Sequence, residues 1–391
     1  MNASTGQNLN KIADILKVDY LPALKNQLGI EPSPFLEKIK KTHLTANDIE
    51  MAAPIGINGG FGFGAEGIGT PAAGEQRYAK FKLSAVDMYV DIQISDKTIK
   101  LGASNNASMI DALDAEVKGS YAAGKWNIGR SLFGDGSGVL ANITTVSGNT
   151  ITLDSVNNVI EGLIIDLYAK GAETPTTTQL RVLSVDRAEK RVRLSDAPGS
   201  VAEGFITVQN SYKRELCGLG AIFNDSITEL YGLKKEDNPF IKPMEVDAGG
   251  ELTDIIFHKG VRDAHDVKNA SIDMIMCGDD AFAVYQQYMR DSNVVVVDKM
   301  NFQGGAVGYK VLVGNREVCV VNERFVPAGE AWGVDTTSFE LKQTDWDFSD
   351  ASGMFTLIPG TSIHRALLCN YGNLISKNPG GCVKFVNCGK A

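Results

Sequence analysis

Side chains able to do chemistry are few in this chain, and they are scattered. There are four histidines, His43, His258, His265 and His364, lying far apart in sequence. His258 and His265 fall in HKGVRDAHD, and with Asp263 and Asp266 they could hold a metal ion or exchange a proton. Polar loop residues account for the same run equally well. Asp279 and Asp280 are adjacent carboxylates, but they stand just before an apolar-periodic stretch, where the positive end of a helix dipole favours acids. Gly62, Gly64 and Gly67 spell G-x-G-x-x-G. That pattern cradles a dinucleotide only between a strand and a helix, and here Thr70 and Pro71 follow with no helical period. No G-K-[ST] closes a triphosphate loop, and no H-E-x-x-H or G-x-S-x-G occurs. The six cysteines (Cys217, Cys277, Cys319, Cys369, Cys382, Cys388) form no C-x-x-C pair and read as reduced, mostly buried thiols. The N-x-[ST] matches at Asn2, Asn106, Asn142 and Asn269 are chance without secretion. The expectation is a chain that is not an enzyme, with no catalytic, cofactor-binding or metal-ligating residue and no cofactor.

Composition narrows the class further. The 391 residues suffice for two or three packed units, and 43% hydrophobic with 22% charged is ordinary for a soluble globular protein. No window approaches the ~18 consecutive apolar residues of a membrane span, so no membrane partner is expected. The start, MNASTGQNLNKIADILK, lacks the basic-then-apolar order of a signal peptide. A net charge of −9 and the absence of a long Lys/Arg run argue against a tight, sequence-reading nucleic-acid binder.

The stretch around which the rest is organised is Ser108 to Phe133. Ile110, Leu113, Val117, Tyr121, Gly124, Ile128 and Leu132 recur at steps of three and four, the period of one helix face. Ser108 is placed to cap the helix, Asp111 sits where a capping-box acid would, and GDGSG (Gly134 to Gly138) ends it. A helix roughly 37 Å long is predicted, lying across a sheet. Before it, ADILKVDYLPALKNQLG suggests a short amphipathic helix and FLEKIKKTHL a second one after Pro34. Residues 52–76 are rich in glycine, alanine and proline and read as a long loop or hairpin tip. Residues 77–101 alternate like a strand, with Phe81, Leu83 and Ala85 on one face and Met88, Val90, Ile92 and Ile94 on the other. Residues 139–212 carry short strands at roughly ten-residue spacing, with Gly148-Asn149 as a hairpin signal, and predict a small inserted β-barrel or sandwich.

After that insertion the pattern mixes. SITELYGL is a short helix candidate, SIDMIMCG a buried strand, and DDAFAVYQQYMRD a helix. Val294 to Val297, YKVLV and EVCVVN read as strands, the last two joined by Gly314-Asn315. PAGEAWGVDTTSFELKQ adds two strands, and the tail gives more around Pro379-Gly380-Gly381.

The tract from AKFKLSAVDMYVDIQISDKTIKL to GKWNIGRSLFGDGSG resembles the middle of a tailed-phage major capsid protein of the HK97 fold. In that family a strand passes through v-x-I-S into a long spine helix that ends in L-x-G-x-G. Ile92-Gln93-Ile94-Ser95 and Leu132-Phe133-Gly134-Asp135-Gly136 fill those places. The later order, MIMCGDDAFAVYQQYM, then RFVPAGEAWGVD, then a closing strand tract, is also similar. The likeness spans most of the chain except 139–212, and the order of parts carries it. It implies an α+β, HK97-like capsid fold with an N-terminal arm (1–48), an extended E-loop (49–93), a P-domain part with the spine helix (94–138), an inserted small β-barrel (139–212), an A-domain (213–354) and P-domain C-terminal strands (355–391). It further implies a subunit that self-assembles into pentamers and hexamers of an icosahedral head around double-stranded DNA, held non-specifically. The implied partners are other copies of the chain, a separate scaffolding protein, a portal and a decoration protein. Assembly is expected in the host bacterial cytoplasm and residence in the virion capsid. Some relatives cross-link through E-loop side chains; Lys80, Lys82 and Lys97 lie on these strands, with no acceptor assigned. The alternatives are an encapsulin-type protein-cage subunit and a sugar-binding β-rich protein. The latter would need exposed aromatics, whereas Trp126, Trp332 and Trp346 fall in a core helix and in strands.

Overall fold

The computed structural model describes residues 33–64, 69–97, 106–199, 201, 203–292, 298–303, 305–313, 316–349 and 356–389. The helix Asn106–Phe133 has 28 residues and is therefore about 42 Å long. It begins two residues before Ser108, which lies inside it instead of capping it. Val117, Ile128 and Leu132 enter the largest core and Tyr121 packs at its edge. The side chains of Ile110 and Leu113 lie outside the described residues, as do ADILKVDYLPALKNQLG, Val294 to Val297 and Gly314-Asn315.

The helix lies on a mixed sheet that has six strands among the described residues. Its longest strand, Ile363–Ser376, pairs antiparallel with Val86–Ser95 over one half and with Phe339–Gln343 over the other. Val90, Ile92, Ile94, Ala366 and Leu368 share the helix's core. Ser120 Oγ donates to the Asp91 carbonyl at 3.1 Å, fixing the helix against this sheet. Lys40–His43 adds in parallel to Phe339–Gln343, where Thr42 Oγ1 donates to Glu340 at 2.6 Å. The expected helix over FLEKIKKTHL is thus only Pro34–Lys38, because the residues after it are claimed by this sheet edge.

Residues 77–101 are not one strand. Arg77–Ser84 pairs with Asp48–Ile55 as a separate hairpin, and Val86–Ser95 joins the six-stranded sheet. Ala85 marks the break, its amide donating to the Asn47 carbonyl. The apolar positions switch from odd (Phe81, Leu83) to even (Val90, Ile92), and that change of parity is the break itself.

From Val139 to Val208 six strands close into an antiparallel barrel. Its own core includes Ile143, Ile151, Ile165, Leu167, Val182, Val192, Leu194 and Ile206, all buried. Buried Asp166 accepts the amides of Gln179 and Asn210 at 3.0 and 2.7 Å, and both of those residues have left-handed backbones (φ 59 and 58). The chain enters and leaves the barrel through one neck, where Lys213 N donates to the Ser137 carbonyl at 2.8 Å. Gly138 is needed there: its φ is 76, and a Cβ would strike the Ser211 carbonyl.

The third unit is a sheet of seven strands among the described residues, centred on Met274–Cys277, whose four residues are all buried. Both of its faces are covered, as an uninterrupted apolar strand requires. Ile275 and Cys277 face the helices Asp254–Lys268 and Asp279–Asp291, while Met274 and Met276 face the core of the long helix. HKGVRDAHD, expected as a loop, is the middle of helix Asp254–Lys268. Gly260 obscured it, yet that glycine is what lets the helix lie close on the sheet: a Cβ there would stand 2.6 Å from the Phe385 ring. SITELYGL is likewise a tight hairpin, Glu229–Leu230 with Leu233–Lys234, turning through Tyr231 and Gly232, both at positive φ. The two large sheets also cut across the boundary expected at 354/355. Phe339–Gln343 and Asp347–Phe348 belong with the long helix, and Val383–Val386 returns to the seven-stranded sheet.

A buried ion pair ties the long helix to the segment returning from the barrel. Arg130 Nη2 on the last turn of the long helix meets Glu215 Oε1, in the segment returning from the barrel, at 2.5 Å with both side chains buried. Arg130→Met should destabilise the chain by about 3–5 kcal/mol in urea denaturation, because it strands Glu215 without a countercharge. The double change Arg130→Met with Glu215→Leu should recover most of that loss. The barrel buries its own core, so a fragment spanning residues 137–213 should fold alone and give a cooperative thermal transition by circular dichroism; a featureless melt would show that it needs the body.

Candidate assembly surface

None of the sequence-level chemical candidates converges. His258 and His265 are exposed on the outer side of helix Asp254–Lys268. His265 Nδ1 stands 2.9 Å from Arg316 Nη2, and Asp263 pairs with Arg262 at 2.8 Å. Asp279 and Asp280 occupy the first turn of their helix, where Asp279 accepts from Asn322 Nδ2 at 2.8 Å. Among the described residues no cluster of three His, Cys, Asp or Glu side chains could hold a metal, and no helix is long and apolar enough to cross a membrane. All six cysteines are unpaired; Cys217 is pushed up to about 12 by burial and then by nearby Asp135, leaving its thiol protonated. Gly62 and Gly64 sit in the loop joining the two hairpin strands, while Gly67 lies outside the described residues. His43 and Lys97 are exposed, and His364 Nε2 lies 3.9 Å from Asp96. Trp332 and Trp346 are buried.

The hairpin is where the surface becomes unusual. Its root is buried: Ile49, Ala53, Ala79 and Phe81 enter the main core, and the Phe81 ring lies 5.4 Å from Tyr231 and 6.5 Å from Phe240. Lys82 N donates to the Tyr231 carbonyl at 3.0 Å. Along its solvent face Lys80 pairs with Glu50 at 2.8 Å and Lys82 with Asp48 at 3.1 Å. These lysines, considered above for cross-linking, are engaged within their own strand pair. Gln76 Nε2 donates to the carbonyls of Ile55 and Gly56 and closes the stem. Beyond this point the loop carries Ile57, Phe61 and Phe63, which are 90%, 81% and 95% exposed. The two rings meet edge to face, with centroids 5.3 Å apart.

Fully exposed aromatics clustered on a projecting loop cost free energy in water unless a partner covers them. A second exposed patch lies on the six-stranded sheet, on the side away from the long helix. There Tyr89 and Tyr371 meet edge to face at 6.4 Å on neighbouring strands. Sequence reasoning marked the loop by its glycines and passed over its aromatics, although Phe61 and Phe63 alternating with glycine were the available signal.

No family model and no curated protein matches the sequence. Solved structures do. The chain superposes on a subunit of the cyanophage A-1(L) capsid with a TM-score of 0.54 and 12% identity, covering 95% of both chains. The fold is that of a phage capsid subunit. Weaker likenesses run to the capsid of an empty GTA particle (TM-score 0.46, 8% identity, 91% of this chain and 89% of that one) and to the SrpI encapsulin of Synechococcus elongatus (0.44, 9%, 91% and 88%). The likeness in fold runs over nearly the whole length of both chains.

Replacing Phe61 and Phe63 together by alanine should leave the melting of the isolated chain within about 0.5 kcal/mol of the parent, since neither ring packs on the body. The same change should lower self-association measurably in analytical ultracentrifugation. A large loss of fold stability would mean that the tip packs on its own chain.

Proposed function

We propose that the chain is the major capsid protein of a tailed phage, assembling into pentamers and hexamers of an icosahedral head around double-stranded DNA. What supports this reading is the likeness in fold to a phage capsid chain over 95% of the length, together with a hairpin whose tip residues Ile57, Phe61 and Phe63 are exposed. On this reading the hairpin is the E-loop, the long helix the spine, its sheet the P-domain and the seven-stranded sheet the A-domain. The barrel is an outward-facing insertion. A shell that uses one protein in five-fold and six-fold rings needs contacts that tolerate small changes of angle. A glycine-rich loop carrying two aromatic side chains supplies such a contact, and many weak contacts per subunit add up over a closed surface. The net charge of −9 suits a container whose wall must not grip DNA tightly. The role is structural and not enzymatic. Other copies, a separate scaffolding protein, a portal and a decoration protein are the partners, with assembly in the host cytoplasm and residence in the virion.

Electron microscopy of the purified chain, alone and with its scaffold, tests this directly. Uniform shells, or rings of five or six, are expected. A stable monomer under every condition would overturn the reading, and shells that load enzyme cargo in place of DNA would point to an encapsulin-type cage instead.

A further inference from the structure

The six-stranded sheet ends in two open margins. Among the described residues Val86–Ser95 pairs only with Ile363–Ser376, and Lys40–His43 only with Phe339–Gln343. Gly372 faces Val86 on one side and Gln343 on the other, so the two margins lie on opposite sides of the sheet. Register fixes which backbone groups the long margin offers. Asp96 N donates to the Ser362 carbonyl at 2.8 Å, and in an antiparallel ladder bonded and non-bonded pairs alternate. The even-numbered residues from Met88 to Ile94 therefore bond inward, and the amides and carbonyls of Asp87, Tyr89, Asp91 and Gln93 point out of the sheet. Two further bonds agree with this. The Leu367 carbonyl, opposite Asp91, accepts Ser349 N on the far side at 2.8 Å, and the Asp91 carbonyl accepts Ser120 Oγ. Among the described residues no group accepts from the amides of Asp87, Tyr89, Asp91 or Gln93.

The short margin follows the same logic. Leu44 N donates to the Gln343 carbonyl at 3.0 Å, so in this parallel ladder Lys40, Thr42 and Leu44 bond inward, and Lys41 and His43 turn their amides and carbonyls outward. The two margins differ in length and charge. Val86–Ser95 has ten residues, with no proline, no lysine and no shift of register, which makes its open side a template for another strand. It carries Asp87 and Asp91, whereas the four-residue margin carries Lys40, Lys41 and His43. Asp91 is shared with Arg365 at 2.9 Å, and Asp87 accepts from the Tyr89 hydroxyl at 3.3 Å. Two long margins laid together would set acids against acids, and two short ones lysines against lysines. A long margin against a short one sets acids against lysines.

We propose that Lys40–His43 of one copy adds as a strand to the open side of Val86–Ser95 of the next, so that the sheet continues from copy to copy. The contact is head to tail, and a head-to-tail contact closes into a ring when its rotation allows. The short margin offers the backbone of two residues, so each join is weak, and a ring of them adds up. This inference rests on the shell reading and names one contact within it, separate from the aromatic loop tip.

Sedimentation velocity of the full chain, over a concentration series at low salt, tests it. The parent chain should associate reversibly. Gln93→Pro removes one outward N–H and leaves the inward ladder whole, so it should weaken association by on the order of tenfold, the worth of one lost hydrogen bond, without lowering the melting temperature. Asp87→Lys and Lys40→Glu should each weaken association, and an equimolar mixture of the two should return towards the parent level, because each changed margin then meets its opposite. The mixture decides the matter if Gln93→Pro melts early. A parent chain that stays monomeric at every concentration, variants that associate like the parent, or a mixture no better than its components would each overturn the proposal. Electron microscopy of the same samples separates it from the shell reading. Shells formed by Gln93→Pro at the parent's yield would overturn the strand pairing alone. Oligomers that respond to proline and to the charge exchange but never become shells would uphold the pairing and overturn the shell.

Discussion

Everything converges on the last two turns of the long helix. Arg130, Leu132 and Phe133 there meet the segment returning from the barrel, the six-stranded sheet and the seven-stranded sheet at once. The Arg130–Glu215 pair is buried, so its attraction is offset by the desolvation of both charges, and its worth lies in what happens if one partner is missing. It therefore specifies an arrangement more than it adds stability. The backbone confirms how tight the junction is. A Cβ on Gly218 would strike the Leu132 carbonyl, and one on Gly220 would stand 2.6 Å from the Phe133 carbonyl. Only glycines let the short helix Leu219–Phe223 cross the end of the long one.

That junction explains why an entire barrel can sit in the middle of the chain without disturbing the rest. Its two connections lie side by side at Gly138 and Ser211, so the body meets it as it would a short loop. Loop-closure entropy is nearly indifferent to what fills the loop when the filler folds by itself. The aromatic triad Tyr168, Phe205 and Tyr212, with centroids 4.7 to 5.0 Å apart, packs the barrel's wall near the neck.

The surface divides labour differently from the interior. The root of the hairpin is as well packed as the core, and its tip is bare. A packed stem with a glycine-flanked tip lets the tip change its angle without repacking the domain that holds it. The hairpin lysines, being paired across their own strands, stiffen the stem.

The sequence determined whatever rests on local period and composition. The long helix, the strand Met274–Cys277, the helix from Asp279 and the run of short strands after Gly138 were all legible, because burial on one face or both imposes a 3.6-residue, two-residue or continuous apolar pattern. Tertiary structure decided the rest. Gly260 reads as a helix breaker until Phe385 is seen against it; Tyr231 reads as helical until its positive φ pairs with Gly232; the lysines of KKTH read as helical until Glu340 and its strand take them up. Which sheet a strand joins was likewise invisible, since Phe339–Gln343 and Ala331–Val334 are neighbours in sequence yet belong to different sheets. Pairing across tens to hundreds of residues, as between Ser33 and Glu323 or Arg130 and Glu215, leaves no period in the chain, because it is specified only when two distant segments are brought into contact.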